Sequence, residues 1–291
     1  MVLPGMLQNS VVRAWLGGVE PAWTMLDERS FDALRYTPPS TRGGPIQLAA
    51  DLSVEELRKF PFATGVVALL RAGAQGDGLK LTATGNLSRA VVSEMIEHFL
   101  WPGFDRTEVF RFHKVVNEPD FFPLYLGRQL AESARLLRRS KGYLKLSQRG
   151  RGVLAEGNAP TLPALLFHLV MWEINPTDLG RSLHGRWPAA DVGVVLWSLS
   201  VAAGDWQPPE RLPRLCTIPP VAVTEATWDS GSSAMEARIL QPLLWFGLLE
   251  HRREPKAGKA FADRQLYRKT ELFDRFVVFD VTTEAEAAIR H

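Results

Sequence analysis

The chain of 291 residues has one cysteine, Cys216. A lone thiol excludes an intramolecular disulfide framework and any zinc site built on several cysteines, and it points to a reducing, cytoplasmic setting. Next to Leu215 and Thr217, Cys216 reads as a small core residue rather than a nucleophile. Long apolar runs are missing too. "LPALLFHLVMWEIN" and "VGVVLWSLSVAA" fall short of the roughly 20 residues that span a bilayer, so no membrane partner is expected. The N-terminal stretch "MVLPGMLQNSVVRAWLGG" lacks the pattern of a secretory signal. No glycine loop is followed by Lys and Ser or Thr, which removes the usual support for nucleotide hydrolysis. The histidines, His98, His113, His168, His184, His251 and His291, include no pair at zinc-ligand spacing. Glu94 and His98 lie one helical turn apart and read as a surface pair. Neither a metal nor a cofactor is expected.

Excess charge is scarce as well: 34 basic and 32 acidic residues leave a net charge of +2. Affinity for a polyanion must therefore come from local clustering. Composition is that of an ordinary globular chain, long enough for two or three compact units.

The stretch "TPPSTRGGP", residues 37–45, has the Pro, Gly and Ser content of a linker, and residues 1–45 read as an N-terminal arm and linker. Ser53 followed by Glu56 forms a capping box for a short helix that Pro61 ends or redirects. In "GLKLTATGNLSRAVVSEMIEHFLW" a short strand over Leu79 to Leu81 leads through a turn into a helix. In "LLRRSKGYLKLSQRGRG" a helix gives way to a hairpin turning at Ser140, Lys141 and Gly142. Ser147 caps the next helix, and Gly150 lets its backbone approach the preceding strand. Leu79, Leu81, Thr82 and Gly85 echo Leu144, Leu146, Ser147 and Gly150. A third version of helix, hairpin and helix is expected near the C-terminus, with a kink at Pro242, strands from Leu248 and around Leu266 to Arg268, and Thr270 as cap. The fold class is thus mainly helical with small β-hairpins, an α+β chain. Trp172, Trp187, Trp197 and Trp206 gather in an apolar connector over 161–206, read as core, with a homodimer or protein interface as the alternative.

"YLKLSQRG" resembles the second wing strand and following cap of many bacterial winged-helix regulators. "LKLTATGNLSRAVVSEMIE" is similar to a segment of the plasmid-borne ORF-like family of Ri-type plasmids. The resemblance implies tandem winged-helix folding and no particular reaction. Residues 46–158 would be a winged-helix-like region of one or two units with a basic wing. Residues 159–291 would hold the helical connector and a C-terminal winged-helix-like unit. In the one-unit parsing "LKLT" supplies a third strand to the hairpin's sheet.

Between Arg128 and Arg151, eight basic side chains are opposed by Glu132 alone. Arg128, Arg135, Arg138, Arg139, Lys141, Lys145, Arg149 and Arg151 spread along the presumed recognition helix, wing and closing cap, the electrostatic footprint of phosphate binding. With Leu144 and Leu146 inward, Tyr143 and Lys145 face outward. The expectation is a non-enzymatic protein that binds nucleic acid, foremost duplex DNA. Its wing contacts phosphates, and Arg128, Gln129 or Ser133 approaches base edges. The competing reading is a protein-interaction module whose charges solubilise a hairpin. Asp105, Glu108, His113, Glu118 and Asp120 keep a metal-dependent nuclease in third place. A second basic cluster, Arg252, Arg253, Lys256, Lys259, Arg264, Arg268 and Lys269, is diluted by Glu254, Asp263, Glu271 and Asp274.

Overall fold

A computed structural model describes residues 7–102, 104, 106–112, 114–155, 158–173, 185–224, 230–255 and 263–289. In chain order the elements begin α1 (Ser10–Leu16), α2 (Glu28–Tyr36), β1 (Ile46–Leu48), α3 (Val54–Arg58), α4 (Pro61–Gly73), β2 (Leu79–Lys80), α5 (Arg89–Met95) and α6 (Arg106–Phe112). There follow α7 (Phe122–Ser133), β3 (Leu137–Ser140), β4 (Tyr143–Leu146), α8 (Gln148–Leu154), α9 (Thr161–His168), α10 (Val192–Ala202), α11 (Leu212–Cys216) and α12 (Val221–Thr224). The last are α13 (Ser230–Met235), α14 (Gln241–Trp245), β5 (Leu249–Pro255), β6 (Asp263–Lys269), α15 (Glu271–Phe276), β7 (Val277–Phe279) and α16 (Glu284–Ile289). This is the expected α+β class. Among the described residues no helix is long and apolar enough to cross a membrane.

Helix starts follow their caps. Asn9 and Asp27 accept backbone N–H groups at the heads of α1 and α2. Ser53 and Glu56 close the capping box of α3 reciprocally, at 3.1 and 2.7 Å, and Pro61 opens α4.

The chain divides into two compact units: a central one of Ala50–Phe167 with Trp245–Gly247, and a discontinuous one of Met1–Ala49, His168–Leu244 and Leu248–His291. The core of the central unit is aromatic. Phe99 lies against both α4 and α7 because Gly65 and Gly127 leave room for its ring; a Cβ there would sit 2.7 and 2.6 Å from it. Trp245 stacks on Trp101 at 4.9 Å, and Phe246 meets Phe62 edge-on at 5.1 Å, which explains why this short piece joins the central unit.

The central sheet has the order β2-β4-β3, antiparallel throughout. Leu79 pairs with Leu144 and Leu137 with Leu146, and all four are buried. The echo between residues 79–85 and 144–150 is therefore not a repeat of two units. Its first two residues form a strand beside β4, and both strands turn leucine inward and lysine outward. Leu79–Lys80 is thus the third strand of the hairpin's sheet.

In the discontinuous unit the N-terminal segment is not a separate arm. Trp23 is buried and its Nε1 donates to Thr217 O at 3.0 Å; Arg35 pairs with Asp191 at 2.6 Å. Gly193 of α10 lies so close to Leu34 O that no side chain fits between them. β1 pairs with β7, Ile46 opposite Phe279 and Leu48 opposite Val277, so the first fifty residues are tied to the last. Trp187 and Trp197 are buried here, as a core reading requires, while Trp172 and Trp206 are half-buried.

Both units use one element order. In the central unit it is α4, β2, α5, α6, α7, the β3–β4 hairpin and α8. In the other it is α10, an extended residue at Gln207, α11, α12, α13 with α14, the β5–β6 hairpin and α15. Gln207 exchanges N–H···O bonds with Tyr267 of β6 at 2.8 and 2.9 Å, as β2 pairs with β4. The junctions match as well. Leu136 N donates to Ala131 O and Ser147 N to Leu136 O; Leu248 N donates to Leu243 O and Thr270 N to Leu248 O.

Candidate nucleic-acid interface

The hairpin is built by two left-handed residues. Ser140 pairs with Tyr143, so the loop is two residues long, and both Lys141 (φ 49°) and Gly142 (φ 79°) have positive φ. That is the primed turn whose twist matches a hairpin, and it favours Asn-Gly over Lys-Gly. One turn earlier, α7 ends in a Schellman motif, with Leu136 N on Ala131 O at 2.8 Å and Arg135 N on Glu132 O at 2.9 Å. The left-handed position there is Arg135, φ 58°, whereas Gly247, φ 70°, stands before the other hairpin. Ser147 then fastens the far end: its Oγ donates to Arg135 O at 2.6 Å and accepts from Gly150 N at 2.9 Å. As expected, Gly150 comes so close to Leu136 O that a Cβ would overlap it.

Strand parity sorts the hairpin's charges. Arg138 pairs with Lys145 and Ser140 with Tyr143 on the outer face; Arg139 pairs with Leu144 and so points the way Leu137 and Leu146 point, toward α7. There Arg139 meets Glu132, Nε to Oε1 at 2.9 Å and Nη2 to Oε2 at 3.1 Å. The hydrogen bond and negative charge of Glu132 raise the pKa of Arg139 above the ordinary guanidinium value.

Arg128, expected at base edges, is at the surface in neither sense: its side chain is 2% exposed. It is ion-paired to fully buried Glu118, donates to Glu132 Oε2 at 2.8 Å, and lies 5.8 Å from the Tyr125 ring centre. The physical reason is burial on an apolar face, where a guanidinium is retained only with carboxylate partners. Glu118 also accepts from Leu87 N at 2.6 Å. This use of Glu118 removes a member of the acidic cluster considered for a metal; Asp105 and His113 lie outside the described residues.

The exposed stripe of α7 is Tyr125, Gln129, Glu132 and Ser133, with Gln129 half-buried and Ser133 open. Lys145 is 3.7 Å from Asp77 and 5.9 Å from the Tyr143 ring centre. Arg135, Arg138, Lys141, Arg149 and Arg151 are exposed and make no ion pair among the described residues. One cation was missed: Lys80, exposed opposite Tyr143 on the outer face of the same sheet. The Leu-Lys-Leu alternation at 79–81 was its signal: with Leu79 and Leu81 inward, Lys80 faces outward. The outer face thus carries Lys80, Arg138 and Lys145 around Tyr143.

In the second hairpin three arginines are paired with carboxylates, while Arg253 is exposed and makes no ion pair among the described residues. Arg268 pairs with Glu250 at 2.6 Å, Arg252 with Glu254 at 2.5 Å and Arg264 with Glu210 at 2.6 Å. Arg252 and Arg268 also lie 4.4 and 4.7 Å from the Trp206 ring centre, and Lys269 reaches Asp274 at 2.7 Å. Lys256 and Lys259 fall outside the described residues.

Residues 59–159, inside the central unit, match the family described as the Y4jL N-terminal domain. The chain is 36% identical over 114 residues to the uncharacterized protein y4jL of Sinorhizobium fredii, an overlap of 39% of this chain and 51% of that protein. The chain spans about half the length of the curated relative it matches. The two stretches that carry the resemblances, residues 79–97 and 143–150, lie within the matched region, and the match is consistent with the plasmid-borne ORF-like family. No solved structure matches.

Proposed function

We propose that the central unit is a winged-helix module that binds duplex DNA without catalysing a reaction, in a cytoplasmic protein whose discontinuous unit is a second, winged-helix-like module. The observation that carries the reading is the placement of Arg135 and Lys141. Each is a cation in left-handed backbone, a conformation that costs a side chain about 1–2 kcal/mol relative to glycine. Each is exposed and without an ion pair among the described residues. Solubility alone is served as well by a cation on unstrained backbone, so strain at both ends of β3 supports a use for these side chains where they stand. Arg135, Arg138, Lys141, Arg149 and Arg151 are assigned to phosphates, with Lys80 and Lys145 beside them. Gln129 and Ser133 are assigned to base edges, and Arg128 and Arg139 are withdrawn from the phosphate set.

The protein-interaction reading draws on the near-neutral stripe of α7 and the paired arginines of the second hairpin, and it assigns the tryptophan-rich region to a homodimer. The deciding experiment is an anisotropy titration of duplex DNA, single-stranded DNA and RNA at several salt concentrations. Duplex binding should be steeply salt-dependent. The Arg138→Ala/Lys141→Ala variant should lower the magnitude of the salt slope by about 0.9 per lost phosphate contact. Gln129→Ala should alter the preference among sequences. Absence of duplex binding at low salt, or a wild-type slope in the double variant, would hand the case to protein interaction.

A further inference from the structure

The clasp between Glu132 and Arg139 has a geometry that bears on affinity. Arg139 is the one hairpin arginine that strand parity turns toward α7, and it presents its Nε and Nη2 to both oxygens of Glu132. That is the fork with which an arginine would grip two oxygens of a phosphodiester. Yet the side chain is 55% exposed, while Glu132 is 17% exposed and also holds Arg128. The Arg139 guanidinium lies over a turn that gives it room: a Cβ on Gly85 would be 2.7 Å from its Nη1. Arg128, Arg139, Glu118 and Glu132 sum to zero charge, so this corner of a basic surface is electrically silent while Glu132 is ionised.

We propose that Glu132 holds Arg139 in reserve, so that this clasp sets how tightly the hairpin grips a phosphate backbone. The inference rests on the DNA-binding reading above. A carboxylate and a phosphodiester compete for one fork, and an ion pair to a half-exposed arginine in water is weak enough to exchange. Arg128 keeps its own buried partner, Glu118, so neutralising Glu132 releases Arg139 without stranding a buried charge. The amide of Glu132→Gln retains an oxygen acceptor for Arg128 in the same volume.

The test is a salt series of duplex titrations on the full chain, with folding of each variant checked by circular dichroism. Glu132→Gln should bind roughly five- to tenfold more tightly near 0.1 M salt and steepen the salt slope by about 0.9, the effect of one more neutralised phosphate. Arg139→Ala should change wild-type binding by less than about twofold, and in the Glu132→Gln background it should abolish the gain, a coupling that only the proposed pair produces. Glu94→Gln removes equal charge from an exposed carboxylate of the same unit that has no ion pair among the described residues, and it should bind like wild type. A gain that survives Arg139→Ala, or that Glu94→Gln reproduces, overturns the reserve. So does any marked loss of binding in Arg139→Ala alone, which reads out even if Glu132→Gln does not fold. A wild type that binds no duplex defeats the DNA-binding reading itself.

Discussion

Lys141→Asn separates the two explanations of the basic hairpin, because it should move stability and binding in opposite directions. Lys141 is the first loop residue of a two-residue primed turn, at φ 49° with Gly142 at φ 79°. Left-handed backbone costs a branched-at-Cβ-free side chain such as lysine about 1–2 kcal/mol, and asparagine recovers part of that cost by bonding to its own backbone. Lys141 is exposed and makes no ion pair among the described residues, so nothing of comparable size is lost. The net expectation is a gain of about 0.5–1 kcal/mol for the central unit, read as a higher urea midpoint at unchanged slope. Duplex affinity should fall with a salt slope smaller by about 0.9, the release of one phosphate contact. A residue retained for solubility would give the stability gain with binding unchanged. A drop in stability would refute the strain argument, and with it the observation on which the functional reading stands.

Other outcomes follow from single contacts. Arg128→Ala leaves buried Glu118 without its partner and should destabilise the central unit by about 3–5 kcal/mol in urea unfolding; a variant of normal stability that has lost DNA binding would return Arg128 to the interface. Gly150→Ala forces a Cβ into Leu136 O and should cost about 1–3 kcal/mol by the same assay, so wild-type stability would mean that the α8 junction is looser than described. Burial, and then the charge of Arg253, lower the pKa of His251 below its ordinary value, so the folded chain favours the neutral ring. Its contribution to stability is complete above the ordinary histidine pKa and is lost as pH falls through the lowered one; His251→Gln should flatten that part of the stability profile.

The fold was legible where signals were local. Ser53 with Glu56, Ser147 ahead of Gly150, and Lys141 with Gly142 each name their own partner within a few residues, and each forms as read. What failed was the assignment of pieces that meet from far apart. Leu79–Lys80 could be read as part of a repeat or as a third strand of the hairpin's sheet, because two strands side by side in one sheet share alternation for the same reason that two repeats do. The N-terminal segment looked like an arm because its partners, Thr217, Asp191 and the strand at Val277–Phe279, stand some 150 to 250 residues downstream.

Charge was legible as composition and illegible as pairing. Glu132 was visible four residues beyond Arg128, a helical neighbour, but the decisive partner Glu118 comes from outside the helix and buries the arginine that sequence spacing had put at the surface. Arg139 could have been placed from parity once the turn was known to hold two residues, since Leu144 inward makes its partner inward too. The same accounting divides the two hairpins, which share an element order but not a fate for their arginines. In β5 and β6 Glu250, Glu254 and Glu210 absorb Arg268, Arg252 and Arg264, and the helix before them ends on Gly247. Around β3 and β4, Arg135, Arg138, Lys141, Arg149 and Arg151 remain without acids among the described residues, and the equivalent helix end carries Arg135 in the conformation glycine would hold more cheaply. Paired arginines and a glycine at the left-handed helix end are what a purely structural hairpin should have; exposed cations without acids, two of them on left-handed backbone, are what sets the other apart, and the proposed phosphate contacts would account for both.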